Sequence, residues 1–161
     1  MNEIAAPPVH ARPGAPESSS PPGEMDPVLR ILHSAVRAAD TRVIALVPGG
    51  FAGRDAAPHA AERLAEAASL AGCHAAIVHG EATPRWHQTA DGEDEIGRAS
   101  TLFDLVLVTA PPPPFAFRCA GALLVVAAGR STEVEVAEAV SACARSGVPL
   151  LGALFATTPR P

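Results

Sequence analysis

Residues Arg42 to Gly72, RVIALVPGGFAGRDAAPHAAERLAEAASLAG, constrain the fold of this chain more than any other stretch. The apolar run Arg42–Val47 is bounded by Pro48-Gly49-Gly50, the mark of a strand buried on both faces, as in a parallel sheet. From Ala57 the apolar residues Ala57, Ala61, Leu64, Ala65 and Ala68 recur at helical spacing, with Glu62, Arg63, Glu66 and Ser69 on the wet face. Gly72 then caps that helix at its C-terminus. A strand, a glycine turn and a helix in this order gather amide N–H groups and a helix N-terminus around an anion. Gly49, Gly50 and Gly53 therefore have two readings: an anion cradle, or a tight strand-to-helix turn that needs positive φ.

The remaining pattern repeats the alternation. Asp26-Pro27 is an N-cap followed by proline at the first helical position, and Val28, Ile31, Leu32, Ala35 and Val36 share one face of a helix running to about Ala39. His74–His79 is a second short strand, and a polar segment after it leads to a short helix near Asp94–Thr101. Phe103–Thr109 is a third strand, closed by Pro111–Pro114, which cannot continue a ladder. Gly121–Ala128 is a fourth strand. Thr132 and Glu135 form a capping-box pair opening a last helix, whose buried face is expected to be Val136, Val140, Cys143 and Ala144. Leu150–Phe155 supplies the closing strand. This predicts an α/β domain over residues 26–158, with a mostly parallel sheet of about five strands and helices on both faces. Residues 1–25, rich in Pro, Ala and Ser, are expected to form a disordered tail. Ligands of such sheets sit beyond the carboxyl ends of the strands; here those are 48–53, 79–81, 109–114 and 129–131.

Composition excludes several classes of function. The chain has 161 residues and a net charge of −5, which argues against a nucleic-acid surface. The apolar runs Cys119–Ala128 and Val148–Ala156 fall short of the ~20 residues of a membrane-spanning helix. The N-terminus lacks the basic start and apolar centre of a secretory signal, so a cytoplasmic location is expected. All 12 cationic residues are Arg and there is no Tyr, which rules out any mechanism needing a lysine or tyrosine of this chain.

Other candidate groups have plainer readings. Cys73, Cys119 and Cys143 include no C-x-x-C pair, which suits packed, reduced thiols. His74, His79 and His87 do not follow metal-ligand spacing, and His74 and His79 have opposite strand parity, so no metal site is expected. Trp86 either anchors a partner or packs over the sheet edge. Pro111–Pro114 with Phe115 and Phe117 reads either as a contact surface or as a stiff crossover filling the space a nucleotide would use.

In order and spacing these pieces resemble the bacterial tyrosine kinases that partner exopolysaccharide chain-length regulators, a branch of the deviant P-loop ATPases that includes MinD and ParA. The resemblance spans about Met25 to Thr158. MDPVLRILHSAV is similar to the family's leading helix, RVIALVPGG to its first strand and the start of its phosphate loop, and ERLAEAASLAG to the following helix. AAIVHGEATPRWH is similar to the second strand and its continuation, FDLVLVTAPP to the strand that usually ends in Asp-x-Pro-Pro, GALLVVAAGRSTEVEVAEAV to the next strand and helix, and SGVPLLGALFATT to the closing strand. The implied fold is a P-loop-NTPase-like domain.

The chain departs from that family at each nucleotide-binding position. Gly53-Arg54-Asp55 stands where Gly-Lys-Ser/Thr is expected, so a planar guanidinium replaces the phosphate-binding ammonium and a carboxylate replaces the Mg²⁺-binding hydroxyl. Strand two ends in His79-Gly80-Glu81, leaving Glu81 as the surviving carboxylate. Thr109 replaces the Walker B aspartate, Ala156 replaces an adenine-facing Asn, and the C-terminal tyrosine cluster is missing. The degenerate nucleotide or anion site thus comprises Gly49, Gly50, Gly53, Arg54, Asp55, Glu81 and Thr109, with no catalytic residue and no ATP, Mg²⁺ or other cofactor expected. The resemblance implies a non-catalytic partner or regulatory subunit in polysaccharide biosynthesis or export, bound to a membrane chain-length regulator or an active homologue. The alternatives are a Rossmann-type dinucleotide-binding enzyme, with Gly50-x-x-Gly53 and Glu81 as its elements, and a residual ATP-binding kinase-like protein.

Overall fold

The computed structural model describes residues 26–80, 95–111 and 119–157. Five strands, β1 (Val43–Pro48), β2 (Ala75–His79), β3 (Leu105–Thr109), β4 (Gly121–Ala127) and β5 (Leu150–Ala156), alternate with helices α1 (Pro27–Ala39), α2 (Phe51–Leu70), α3 (Glu95–Leu102) and α4 (Glu133–Arg145). All strand pairs are parallel, in the order β2-β3-β1-β4-β5. The tail at 1–25, Glu81, His87, Trp86 and the Pro112–Phe117 segment lie outside the described residues.

Side-chain alternation along β1 divides the core. Ile44 and Leu46 face a cluster with Leu29 and Leu32 of α1 and Ala57, Ala61 and Leu64 of α2. Ala45 and Val47 face the other side, with Cys143 of α4, and Val43 joins Val106, Val108 and Ile96 of α3 there. The chain is thus a three-layer α/β fold, and β1 is buried on both faces because each face carries helices.

Local chemistry sets the helix ends. Asp26 Oδ1 accepts from Val28 N–H at 2.8 Å, and Pro27 follows it. Helix α2 ends as Gly72 takes φ +74° and Cys73 N–H donates to Ala68 O at 2.8 Å. Three expectations need correction. On α1 the buried residues are Leu29 and Leu32, and Ile31, expected on the apolar face, is 47% exposed because the row that meets the core runs through Leu29. Helix α2 begins at Phe51, six residues before the clear apolar spacing, because Ala52, Gly53 and Ala56 are small enough to bring its first turns onto the sheet. On α4 the residues facing the sheet are Val136, Ala139 and Cys143, whereas Val140 is 38% exposed and Ala144 is on the outside. The helix leans so that the i, i+3, i+7 row, not the i+4 row, meets the sheet.

Helix α2 approaches β4 closely at Gly53, where a Cβ would lie 2.5 Å from the carbonyl oxygen of Val125. Gly53→Ala is expected to cost about 1–3 kcal/mol by forcing α2 off the sheet, despite alanine's better helix propensity. Urea denaturation measures this, and an unchanged midpoint would contradict the close approach.

Candidate functional site

The order β2-β3-β1-β4-β5 places a topological switch at the carboxyl ends of β1 and β4: the chain leaves β1 toward β2 on one side and β4 toward β5 on the other. The first turns of α2 and α4 meet there. Only Gly49 and Gly50 separate β1 from α2, so the connection is a tight turn and not an extended loop. Gly49 N–H donates to Val125 O at 2.8 Å, tying the turn to β4. Gly50 has φ +85° and is the N-cap of α2, with Arg54 N–H donating to its carbonyl at 3.2 Å.

Helix α2 has no side-chain cap of its own and no acidic residue in its first turn. Its anion comes from α4. Glu135 Oε1 accepts from Phe51 N–H at 3.3 Å, while Oε2 accepts from Thr132 N–H and Thr132 Oγ1, each at 2.9 Å. Thr132 Oγ1 in turn accepts from Glu135 N–H at 3.3 Å, completing the capping box of α4. One carboxylate therefore serves two helix N-termini, where two macrodipoles favour negative charge. Hydrogen bonds from Thr132 first, and then from Phe51, hold the Glu135 carboxyl below the ordinary carboxylate value of 4.5. A Cβ on Gly50 would fall on this carboxylate, so Gly50 supplies clearance as well as positive φ.

The sequence-predicted residues take the following places. Gly49 and Gly50 form the turn, and Gly53 is buried against β4. Arg54 and Asp55 are exposed on α2, inside the helix and not in a phosphate loop, because helical winding has already begun at Phe51. Thr109 is buried at the end of β3, where its Oγ1 lies 3.1 Å from Nδ1 of His79, its register partner on β2. Gly80 N–H donates to Thr109 O at 2.8 Å. The end of β3 is thus joined to the end of β2. Glu81 lies outside the described residues. Among the described residues there is no His/Cys/Asp/Glu cluster suited to a metal, and no helix is long and apolar enough to cross a membrane. Burial raises the thiols of Cys73, Cys143 and Cys119, the last to about 11.

Glu135 is the residue that sequence reasoning missed as a site member. The Thr132-x-x-Glu135 box announces its local role, but nothing in the sequence links it to Phe51, 84 positions away.

Thr132→Ala is expected to destabilise the domain by about 0.5–2 kcal/mol, read from chemical denaturation. Because folding lowers the Glu135 carboxyl, its contribution is complete above pH 4.5 and disappears as the pH falls through the lowered value. Glu135→Gln should therefore flatten the acid limb of a stability-versus-pH curve at that window. Asp104, lowered mainly by the His74 backbone N–H, contributes in the same direction and serves as the comparison through Asp104→Asn.

No protein-family model matches the sequence, and no curated protein matches it. Solved structures do. The BceF tyrosine kinase domain superimposes with a TM-score of 0.58 at 19% identity, over 80% of this chain and 74% of that one. The chimerical protein CapA2B2 superimposes with a TM-score of 0.53 at 18% identity, over 84% of this chain and 87% of that one. At these identities the likeness establishes a shared fold: this chain has the α/β architecture of a bacterial tyrosine kinase domain.

Proposed function

We propose that this chain is a non-catalytic relative of the exopolysaccharide-associated tyrosine kinases and ATPases, a cytoplasmic partner or regulatory subunit that keeps the fold for its surfaces. The observation that carries the reading is the Glu135 carboxylate on the N-terminus of α2, the place where a strand–turn–helix unit receives a phosphate. A phosphate entering there would meet a like charge in a crevice already supplied with an anion. Three further features support the reading: a chain with no lysine, a two-residue turn too short to wrap a polyphosphate, and Thr109 at the end of β3 in place of a metal-orienting carboxylate. The fold shared with the BceF tyrosine kinase domain supports the reading, and the resemblance of the sequence to the exopolysaccharide-associated kinases suggests the setting. The partner proposed from that setting is a membrane chain-length regulator of polysaccharide synthesis or an active homologue.

Isothermal titration with ATP and Mg²⁺ tests the proposal. The expected result is no saturable binding tighter than about 1 mM, or ~4 kcal/mol, and no phosphate release. Submillimolar binding accompanied by turnover would overturn it.

A further inference from the structure

Strand β5 is one edge of the sheet: it pairs with β4 on one side and with no described strand on the other. Its sequence, Leu150-Leu151-Gly152-Ala153-Leu154-Phe155-Ala156, holds no charge and no proline, the usual devices that keep an edge from pairing. The carbonyl of Ala156 accepts from Ala128 N–H at 3.0 Å, so Ala156 and, by alternation, Leu154 and Gly152 turn their backbone groups to β4. Ala153 and Phe155 turn theirs outward. The other edge, β2, differs, since His79 alone of its residues is exposed. On β5 the exposed side chains lie on the face that carries α4. Leu150, Ala153 and Phe155 are the register partners of Ala122, Leu124 and Val126, which pack in the cluster on the α4 side. Leu150 is 41% exposed and Phe155 76%. Helix α4 widens this patch. Its Glu135 reaches Phe51 on the side toward β1, and at about 3.6 residues per turn Val140 and Ala144 fall on the opposite flank, toward β5. Both are exposed, so the apolar stripe of α4 is broader than one copy of the sheet covers.

This edge is complementary to itself. An antiparallel β5–β5 pair about a two-fold axis near Ala153 joins two sheets into one and closes, because each copy spends the same edge. It sets the exposed Phe155 of each copy against the exposed Leu150 end of the other. The same axis lays the two α4 helices side by side and antiparallel on one face, with their Val140 and Ala144 flanks turned to each other. Glu133 is in the first turn of α4 and Arg145 in the last, so the acidic end of one helix lies at the basic end of the other. The chain's own residues 1–25 fit the edge less well, since Pro7, Pro8, Pro13, Pro16, Pro21 and Pro22 cannot donate to a ladder. We propose that β5 and the Val140–Ala144 flank of α4 form the docking surface for a second copy of this chain, joined through antiparallel β5–β5 pairing. The proposal goes beyond the non-catalytic reading and does not depend on it.

Sedimentation velocity of the full chain over a concentration series tests this. The expected result is a monomer–dimer equilibrium of the 16.4 kDa chain, with hydrogen-exchange protection of the Ala153 and Phe155 amides that rises with concentration. Phe155→Glu and Ala153→Pro each change an exposed position, and the proline removes an outward N–H while leaving the ladder to β4 intact. Each should raise the dimer dissociation constant at least about tenfold, with the circular dichroism of the parent chain retained. A chain that stays monomeric up to about 1 mM would overturn the proposal, whether its edge is open or covered by residues 1–25. So would a dimer that both variants leave intact, or exchange at Ala153 and Phe155 that does not depend on concentration. Because the readout is mass and edge protection, it is separate from the nucleotide titration at α2.

Discussion

The crevice of this domain rests on one shared carboxylate. A helix N-terminus leaves amide N–H groups without partners, and two helices that converge double that requirement. In nucleotide-binding members of this architecture a phosphate meets part of it. Here Glu135 does so from within the chain, accepting from Thr132 at the start of α4 and from Phe51 at the start of α2. The two helices are thereby linked across the switch point, and the N-terminus of α2 faces a carboxylate of this chain.

The neighbouring geometry follows from that closure. The β1–α2 connection is Gly49-Gly50 alone, and α2 starts its winding at Phe51. Gly53, which the motif reading places beside a phosphate, becomes the point where α2 lies on the Val125 carbonyl. Arg54 and Asp55 are carried onto the exposed surface of the helix. At the end of β3 Thr109 stands beside His79 on the next strand. These residues thus make one consistent local structure.

The layered fold was largely legible, since strands buried on both faces and helices with one apolar stripe leave their period in the sequence. Asp26-Pro27 and Thr132-x-x-Glu135 marked two helix starts within a residue, because capping is a matter of neighbours along the chain. The start of α2 was not legible: its first turns are small residues with an interior Pro58, which carry no strong helical signature. The exposure of Val140 and Ala144 on α4 was hidden for a related reason, as apolar spacing names a stripe but not the angle at which the helix meets its sheet.

The sequence by itself determined the three-layer α/β architecture and the absence of any lysine from the chain. Both follow from residue type and short-range spacing. Only the tertiary structure decided what stands in the crevice instead. The contact between Glu135 and Phe51 joins residues 84 apart, and the parallel pairing of β1 with β4 is what brings those two helix starts together.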